Sequence, residues 1–421
     1  MPIFNSLGSN YSLPFALSAL GQIIINDPAD LAKLSEQMSQ QYHGQTFLFY
    51  KGRDAIEFAL RVLGVGASDM VLTQAFTCHA IEEAITRTGA QTIFVDLAKE
   101  RLNPSTEMLD KIWDEVYQKQ SAKQELPKAL LVQHTLGVPA NIKAIAAWCK
   151  QHRLVLIEDL AQAVGGEDED GQPLGSYADI VIFSFGRDKM VDAVSGGAVI
   201  FKKADDQTKA IQLYQNVPDN LAKSIVVKDL FYPFLTCLIR ATHQILIGKV
   251  IFQVAKKVNW LTSPVAAPTT NMMKMPAAYA HLALQQWQYF LQRKGHRLAI
   301  AQNYDKLFNP QILPPNFPMK KLLSPENIKQ GSNLRYSIWV DDPTSLAQEL
   351  TKRKVYLTDR WYRRAVDFGS LNKKTIYQNG SCPHAEELAQ HILNLPTHQG
   401  ISVHDAQRIT RLIIKNLEEK R

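Results

Sequence analysis

The stretch Ile180–Ile200 constrains the fold of this chain most strongly. It begins with a β-rich apolar run, Ile180–Phe185, and after a Gly-Gly pair a second apolar run, Ala198–Phe201, follows. Continuous apolar runs of this length are typical of strands buried on both faces of a sheet. Lys189 comes shortly after the first run. A lysine at the end of a buried strand loses water, which lowers its pKa and lets the neutral amine form a Schiff base. A lone lysine in this position is more often part of a surface turn.

Asp159 also follows an apolar run, and Gln162 comes three residues later. The carboxyl ends of strands in open α/β sheets border the crevice where ligands bind. A carboxylate there could keep the ring nitrogen of pyridoxal phosphate (PLP) protonated, which makes this cofactor an electron sink. Taken alone, an aspartate after a strand is more often a helix N-cap. The combination of Asp-x-x-Gln with a later Ser-Phe-x-x-x-Lys favours the cofactor site.

Several segments in a consistent order and spacing carry a resemblance to a known family. Besides the Asp159 and Lys189 segments they are Gly52–Leu60, Ala75–His79, Gly89–Asp96, Gln133–Ala140, Cys382–Ala389 and Asn394–His398. From about Phe47 onward, the chain resembles the DegT/DnrJ-type PLP-dependent aminotransferases that act on keto sugars of nucleotide sugars. The resemblance implies the α/β fold of fold type I. It predicts a large PLP-binding domain in residues 1–262, with an N-terminal arm in residues 1–45, and a smaller C-terminal α/β domain in residues 263–421.

The resemblance also implies roles for individual residues. Lys189 would hold PLP as a Schiff base and, once released by the amino donor, act as general acid and base. Asp159 would keep the ring nitrogen protonated, and Gln162 would lie near the ring hydroxyl. Ser184 would bind the phosphate together with the helix start at Gly52, where N–H groups and the helix dipole favour an anion.

Four further positions leave alternatives open. Arg53 and Asp54 occupy places where the family commonly has small or hydroxyl residues. Arg53 could pair with a phosphate, whereas Asp54 would repel one and could equally be a plain N-cap. Asn271 and Lys274 form an Asn-x-x-Lys pattern where the family has Asn-x-Arg, an element that reaches the phosphate in the neighbouring subunit. Since the family forms dimers with sites at the interface, a homodimer is expected.

The residue that would stack on the cofactor ring is one of three candidates, Phe76, Cys78 and His79. His134 ends a predicted strand, Ala129–Gln133, and is expected near the site without a defined role. Strand-like and helix-like segments alternate through this half of the chain, which predicts a mostly parallel sheet covered on both faces. Later in the chain the pattern predicts one long helix over Ala277–Phe308, short strands at Leu334–Val340 and Val355–Thr358, and a terminal helix over Val403–Glu419.

Composition excludes several classes of protein. Four cysteines without a C-x-x-C pair predict neither a disulfide framework nor a zinc site and fit a reducing cytoplasm. No Lys or Arg precedes Lys33, so the charged region of a signal peptide is missing. The net charge of +7 comes without a nucleic-acid-binding motif, so no nucleic acid is expected as a partner. A diffuse preference for phosphorylated ligands is the expectation instead.

An unusually apolar segment covers about residues 226–258. Arg240 and Lys249 interrupt it, so no uncharged run is long enough to span a membrane. Helices that cover the core or a dimer interface are the favoured interpretation, and a patch lying on anionic lipid is the alternative. The Pro- and Thr-rich residues 262–270 predict a linker. Two basic clusters, Lys352–Lys354 and Arg360–Arg364, are interpreted as solvated faces in preference to a contact with a substrate diphosphate.

The resemblance therefore implies an aminotransferase that moves an amino group from an amino acid, most simply glutamate, to a keto sugar on a nucleotide or similar carrier. Such a reaction belongs to the biosynthesis of surface glycans or secondary-metabolite sugars. One alternative is a PLP-dependent sugar dehydratase of the same fold, but those relatives have histidine in place of the lysine. The other is a PLP-binding sensor or scaffold without turnover, which Arg53, Asp54 and the Asn-x-x-Lys pattern leave open.

Overall fold

The computed structural model describes residues 2–119, 126–261, 271–309, 311, 313–314, 317–357, 361–367 and 375–419. The helices of these residues are α1 (Leu13–Gly21), α2 (Ala29–Tyr42), α3 (Gly52–Val62), α4 (His79–Thr86), α5 (Thr106–Lys119), α6 (Ile142–His152), α7 (Ala204–Gln215), α8 (Lys223–Thr242), α9 (Ile247–Lys257), α10 (Ala277–Gln288), α11 (Phe290–Leu307), α12 (Pro325–Gln330), α13 (Pro343–Lys352), α14 (Pro383–His391) and α15 (Val403–Glu419). The predicted linker, residues 262–270, lies outside the described residues.

The strands of the described residues are β1 (Ile3–Phe4), β2 (Gln45–Phe49), β3 (Met70–Gln74), β4 (Thr77–Cys78), β5 (Gln91–Val95), β6 (Ala129–Gln133), β7 (Val155–Asp159), β8 (Ile180–Ser184), β9 (Gly197–Phe201), β10 (Met319–Lys321), β11 (Arg335–Val340), β12 (Val355–Tyr356), β13 (Val366–Asp367) and β14 (Ile392–Pro396). Seven of them form the main sheet in the order β2-β9-β8-β7-β6-β3-β5. All neighbours pair in parallel except those of β9, which is antiparallel to both β2 and β8. The predicted mostly parallel sheet is confirmed.

Both faces of this sheet are covered, because alternate residues of each strand enter different cores. On β8, Val181 and Phe183 pack in a core with α2, α6 and α10. Ile180 and Ile182 of the same strand pack in another core with α3 and α4. A strand that is apolar on both sides has no polar alternation, which explains the continuous apolar runs in the sequence. The carboxyl ends of the parallel strands therefore open at one edge between these layers.

A smaller antiparallel sheet, β10-β11-β14, packs with α11, α13, α14 and α15 around a core of its own. Two short pairings connect distant parts of the chain. β1 pairs in parallel with β12, and β4 pairs in parallel with β13. The second pairing brings the segment around residues 361–367 to the edge of the main sheet near Cys78. The division into two domains at residue 262 stays a prediction.

The single long helix predicted over Ala277–Phe308 is wrong. The helix is divided at Tyr289, whose backbone angles (φ −106°, ψ 3°) end α10, and α11 begins at the next residue. The sequence there has neither Gly nor Pro to indicate a break. Packing provides the reason instead. Phe290 lies against Gly165, where an added Cβ would be only 2.9 Å from its ring, and Trp287 is buried beside it. Tertiary contacts have overridden helix propensity here.

The apolar segment forms a helical hairpin of α8 and α9. A short 3-10 turn, His243–Ile245, connects the two helices. None of the helices in the described part of the chain combines the length and the apolar character that crossing a bilayer requires.

Candidate active site

Lys189 lies in a loop that follows β8 and is held in place by a buried carboxylate. Asp192 accepts hydrogen bonds from the N–H groups of Asp188 (2.8 Å) and Val194 (3.1 Å), which closes the loop around Lys189. Asp188 and Val194 both have positive φ, a costly conformation for non-glycine residues. The N-terminal arm adds two more donors to Asp192, the Tyr11 hydroxyl at 2.6 Å and the Asn10 amide at 3.1 Å. The arm therefore fixes the loop that carries the lysine.

Replacing Tyr11 with phenylalanine is expected to loosen this loop. The variant loses one buried hydrogen bond to a carboxylate, so the free energy of unfolding should fall by about 1.5–3 kcal/mol in urea denaturation. Tyr304→Phe is the matched control, since the buried Tyr304 hydroxyl donates to the Pro396 carbonyl in the other core. The Tyr11 variant should slow the reaction of the Lys189 amine with aldehydes, whereas the Tyr304 variant should not. Equal amine reactivity in both variants would show that the arm does not position Lys189.

The Lys189 amine and the Asp159 carboxylate line the same cavity at the carboxyl ends of β7 and β8. Burial lowers the pKa of Lys189, an effect that the Asp159 charge partly opposes. Burial raises the pKa of Asp159, whereas the Ala161 N–H, which donates to Asp159 at 2.8 Å, and the Lys189 charge act in the opposite direction. The Lys189 Nζ lies 4.9 Å from the centre of the Trp361 ring. The site thus holds an amine whose pKa burial lowers and a buried carboxylate whose pKa burial raises.

Gln162 and Cys78 also lie on the cavity wall. The Gln162 carbonyl accepts the Leu136 N–H at 2.7 Å, and its amide donates to the Tyr362 hydroxyl, so both ends of the side chain are fixed. Cys78 caps α4, and burial raises the pKa of its thiol. The wall between these polar groups is apolar and includes Ile56, Ile81 and Ile182. Such a wall suits the faces of a flat ring.

The other end of the cavity is formed by the start of α3 and its neighbours. Gly52, Ser184 and Lys51 lie on the wall, and the Lys51 amine donates to the Ser195 hydroxyl at 2.9 Å. Burial lowers the pKa of Lys51 to about 8. A Cβ on Gly52 would be 2.9 Å from the Ser184 Cβ, and one on Gly197 would be 2.5 Å from the Gly52 Cα. Only glycines allow the backbone to approach this closely, so the start of α3 lies next to Ser184 and, with Lys51, lines this part of the cavity.

Arg53 and Asp54 are both tied into ion pairs of the α3–α4 layer. The Arg53 guanidinium lies at the cavity wall and pairs with Glu83 at 2.5 Å. Asp54 is buried next to Arg87 at 3.3 Å, away from the wall. Burial raises the pKa of Asp54 to about 7. The alternative that Asp54 is an N-cap is wrong, because Lys51 holds the N-cap position and Asp54 lies in the first turn of α3.

Of the three candidates for stacking on a ring, Cys78 is the one on the cavity wall. The buried His79 ring faces Glu82, with Nδ1 3.2 Å from the carboxylate. Phe76 is buried and packs edge-on against Tyr362. His134 is fully buried as well, and its Nδ1 accepts the Ala140 N–H while its Nε2 faces Glu158 at 2.9 Å. These contacts give His134 a structural place behind the Asp159 strand.

Asn271 and Lys274 lie apart from the cavity of their own chain. Asn271 is exposed. The Lys274 N–H donates to the Pro218 carbonyl at 2.8 Å, and its amine lies 4.9 Å above the Tyr214 ring. The structure of one chain therefore does not bring them to Lys189.

Sequence reasoning missed several residues of the wall, notably Lys51, Arg187 and the pair Trp361 and Tyr362. Lys51 directly precedes Gly52, the glycine of the predicted phosphate-binding turn, and this position identifies it as a candidate from the sequence alone. Trp361 and Tyr362 belong to the basic cluster Arg360–Arg364, for which the solvated-face interpretation is wrong at these two residues. Arg187 pairs with Asp229 at 3.1 Å and lies 3.6 Å above the Tyr232 ring. Its neighbours are distant in sequence, so no local pattern could reveal it.

Comparisons with known proteins agree with this architecture. The chain is 37% identical over 155 residues to the pleiotropic regulatory protein of Geobacillus stearothermophilus, a match that spans 37% of this chain and 39%, about two fifths, of that protein. It is 26% identical over 370 residues to the dTDP-4-dehydro-2,3,6-trideoxy-D-glucose 4-aminotransferase of Saccharopolyspora spinosa, covering 85% of this chain and 80% of that protein.

Among solved structures, the fold is similar to that of ntda from Bacillus subtilis, solved with bound cofactor PMP. The TM-score is 0.71 at 18% sequence identity, and the match covers 99% of this chain and 85% of the other. This likeness confirms the fold type I architecture. The sequence pattern of the family described as DegT/DnrJ/EryC1/StrS aminotransferases matches residues 32–413. The chain belongs to the DegT/DnrJ/EryC1/StrS aminotransferase family.

Proposed function

We propose that this protein is a PLP-dependent aminotransferase that transfers an amino group from an amino acid, most simply glutamate, to a keto sugar on a nucleotide or similar carrier. The observation that carries the proposal is the presence of the Lys189 amine and the Asp159 carboxylate on the walls of one cavity. The Saccharopolyspora spinosa relative, which matches most of the chain, is named for an amino transfer to a dTDP-linked keto sugar.

The residues of the cavity fit PLP. Its phosphate requires N–H donors and cations, which the α3 start at Gly52, Ser184 and Lys51 supply. Its aldehyde requires a neutral amine, and burial lowers the pKa of Lys189. Its ring nitrogen requires a carboxylate, and Asp159 is buried and accepts the Ala161 N–H at 2.8 Å. A cationic ring nitrogen would compensate the desolvation of that carboxylate.

The bound cofactor supplies an electron sink that stabilises negative charge on the carbon next to the transferred nitrogen. In this mechanism Lys189 Nζ takes a proton from the α-carbon of the donor, and in the second half of the cycle it places a proton on the sugar carbon. A neutral amine near the working pH is suited to both tasks. Asp159 holds a proton at the ring nitrogen, and Gln162 orients the ring through its fixed side chain. The surrounding apolar wall excludes water from these proton transfers.

We further propose that the protein works as a homodimer. The exposed Asn271 and the half-buried Lys274 would then contribute to the cavity of the neighbouring subunit, which would account for their distance from their own. Lys274 provides one point charge in this role and cannot form a bidentate pair.

The half-reaction with glutamate tests the proposed function. The PLP-loaded protein should lose its yellow absorbance and release one equivalent of 2-oxoglutarate. The resulting pyridoxamine form should then return to the starting spectrum with a keto sugar nucleotide, and mass spectrometry identifies the aminated sugar. If no amino acid changes the spectrum, the result favours a PLP-binding sensor. The name of the Geobacillus relative points to this alternative. Loss of a sugar hydroxyl without nitrogen transfer would favour a dehydratase.

Gly52→Ala is expected to weaken binding of PLP. The added Cβ would lie 2.9 Å from the Ser184 Cβ and displace the hydroxyl proposed to bind the phosphate. Overpacking of this size costs about 1–3 kcal/mol, so the dissociation constant of PLP should rise roughly tenfold or more. Gly295→Ala on α11 is the control, because a Cβ there meets no atom within 4 Å. Titration of both apo proteins with PLP measures the difference, and equal affinities would contradict the phosphate site.

The rate at which the apo protein attaches PLP should depend on pH in a defined direction. Because burial places the pKa of Lys189 below the ordinary 10.5, the neutral amine is present at lower pH than in a free lysine. The rate should therefore rise with pH and level off below pH 10.5. Nα-acetyl-lysine provides the comparison in solution. A midpoint at or above that of the free amino acid would show that Lys189 is not desolvated.

A further inference from the structure

In the hairpin of α8 and α9, the inner faces of the two helices pack against each other. Leu235, Ile239 and Ala255 are buried between the two helices, and Phe231, Ile251, Phe252 and Trp260 pack against them. The Phe231 and Trp260 rings meet edge-on at 5.2 Å. This inner face fixes the position of α9 on the molecule, so the direction of its other face is also fixed.

The outer face of the hairpin is apolar and exposed. Ile245, Leu246 and Ile247 follow one another at the tip, and Val250, Val254 and Val258 continue along α9. The spacing of three or four residues from 247 to 258 puts these side chains on one side of the helix. All six are between 52% and 65% exposed. A contiguous exposed apolar surface of this kind marks an interaction site.

The charged residues of α9 all have the same sign. Lys249, Lys256 and Lys257 are exposed on α9, where helical spacing puts Lys257 next to the stripe and Lys249 and Lys256 on the opposite side of the helix. The sequence contains no Asp or Glu between Asp229 and Asp305. A helix with an apolar stripe on one side and cations on its polar side is complementary to the interface of an anionic membrane, where acyl chains lie beneath phosphate groups.

We propose that the hairpin tip and the outer face of α9 bind the surface of a membrane that contains anionic lipids. The Ile245–Ile247 tip and the valine stripe enter the boundary between headgroups and acyl chains. The three lysines remain at the level of the lipid phosphates, where each contributes about 1 kcal/mol, a factor of about five in affinity. The helix lies in the plane of the interface, in agreement with its length of 11 residues. This surface is independent of the cavity around Lys189.

A second copy of the chain is a less suitable partner for this surface. A two-fold contact would place the stripe against its own copy. Lys257 of each copy would then lie beside the contact, and α9 has no carboxylate to compensate its charge. Like charges across an interface oppose association, whereas an anionic lipid surface attracts the same charges.

Sedimentation with vesicles tests the proposal on the full-length protein. The protein should pellet with vesicles of phosphatidylcholine and phosphatidylglycerol but remain in the supernatant with phosphatidylcholine alone. High salt should weaken the binding, because it screens the lysines. Absence of binding to the anionic vesicles, or equal binding to both kinds, would overturn the proposal.

Two sets of variants locate the contact. Val250→Gln with Val254→Gln should reduce binding to the anionic vesicles roughly tenfold or more, and Lys256→Gln with Lys257→Gln should reduce it about fivefold for each lysine. Ile211→Gln with Val403→Gln is the control, since these exposed apolar residues lie on α7 and α15. The control should bind as the unmodified protein does. If the valine variant instead changes the molar mass in light scattering and leaves vesicle binding unchanged, the surface is a contact between copies and the proposal is wrong.

Discussion

Lys189→Ala is expected to abolish amino transfer and to prevent covalent attachment of PLP. The variant lacks both the amine that would bind the cofactor and the group that would move the proton between carbon atoms. Loss of a general acid and base alone lowers a rate by about 10²–10⁴, so the half-reaction with glutamate should slow by at least that factor. Stopped-flow absorbance measures the rate, and borohydride trapping followed by mass spectrometry measures attachment.

Lys202→Ala is the matched control for this result. Burial lowers the pKa of Lys202 as well, and its amine donates to the carbonyls of Gly175 and Ser176. It lies on the far end of β9, away from the wall of the cavity. The control should attach PLP at Lys189 and keep its half-reaction. A trapped adduct in the Lys189 variant would place the reactive amine elsewhere, with Lys51, whose pKa is also lowered by desolvation, as the first residue to examine.

Much of the fold could be predicted from local patterns. The continuous apolar runs of β6 and β8 and the amphipathic pattern of α15 each determine one element from neighbouring residues alone. The edge of the sheet where Asp159 and Lys189 meet follows from the order of parallel strands. These predictions are correct because burying one or both faces of a strand or helix requires apolar residues at regular positions, and that spacing is visible in the sequence.

What the sequence could not predict depends on contacts between distant residues. Arg53 pairs with Glu83 from the next helix, so its side chain has a protein partner that no local motif reveals. The arm residue Tyr11 donates a hydrogen bond to Asp192, which lies 181 residues further along the chain. Trp361 reaches the cavity because β13 pairs with β4, a connection between segments far apart in the chain. In each case the contact depends on how distant segments of the chain are arranged in the fold, and the spacing of apolar residues does not predict that arrangement.

Asp159→Asn is expected to lower turnover by at least about hundredfold while leaving the protein folded and loaded with PLP. Asparagine has the shape of aspartate but carries no charge, so it cannot hold a proton at the ring nitrogen as a charged partner does. Removing one electrostatic group that stabilises developing charge typically costs about 10²–10³ in rate. Lys189 is unchanged, so borohydride trapping should still find the cofactor attached there. Steady-state rates with glutamate and a keto sugar nucleotide measure the loss.

The stability of the apo variant separates this role from a structural one. Because burial raises the pKa of Asp159, its ionised form is disfavoured in the folded chain, and above that pKa the buried charge reduces stability. Asparagine removes this cost, so at neutral pH the apo variant should be as stable as the parent protein or more stable. Asp168→Asn is the control, another buried carboxylate that accepts N–H groups in a turn away from the cavity. That control should keep its turnover. If Asp159→Asn retains turnover within a few-fold, or loses it only by unfolding, then Asp159 does not act on the cofactor.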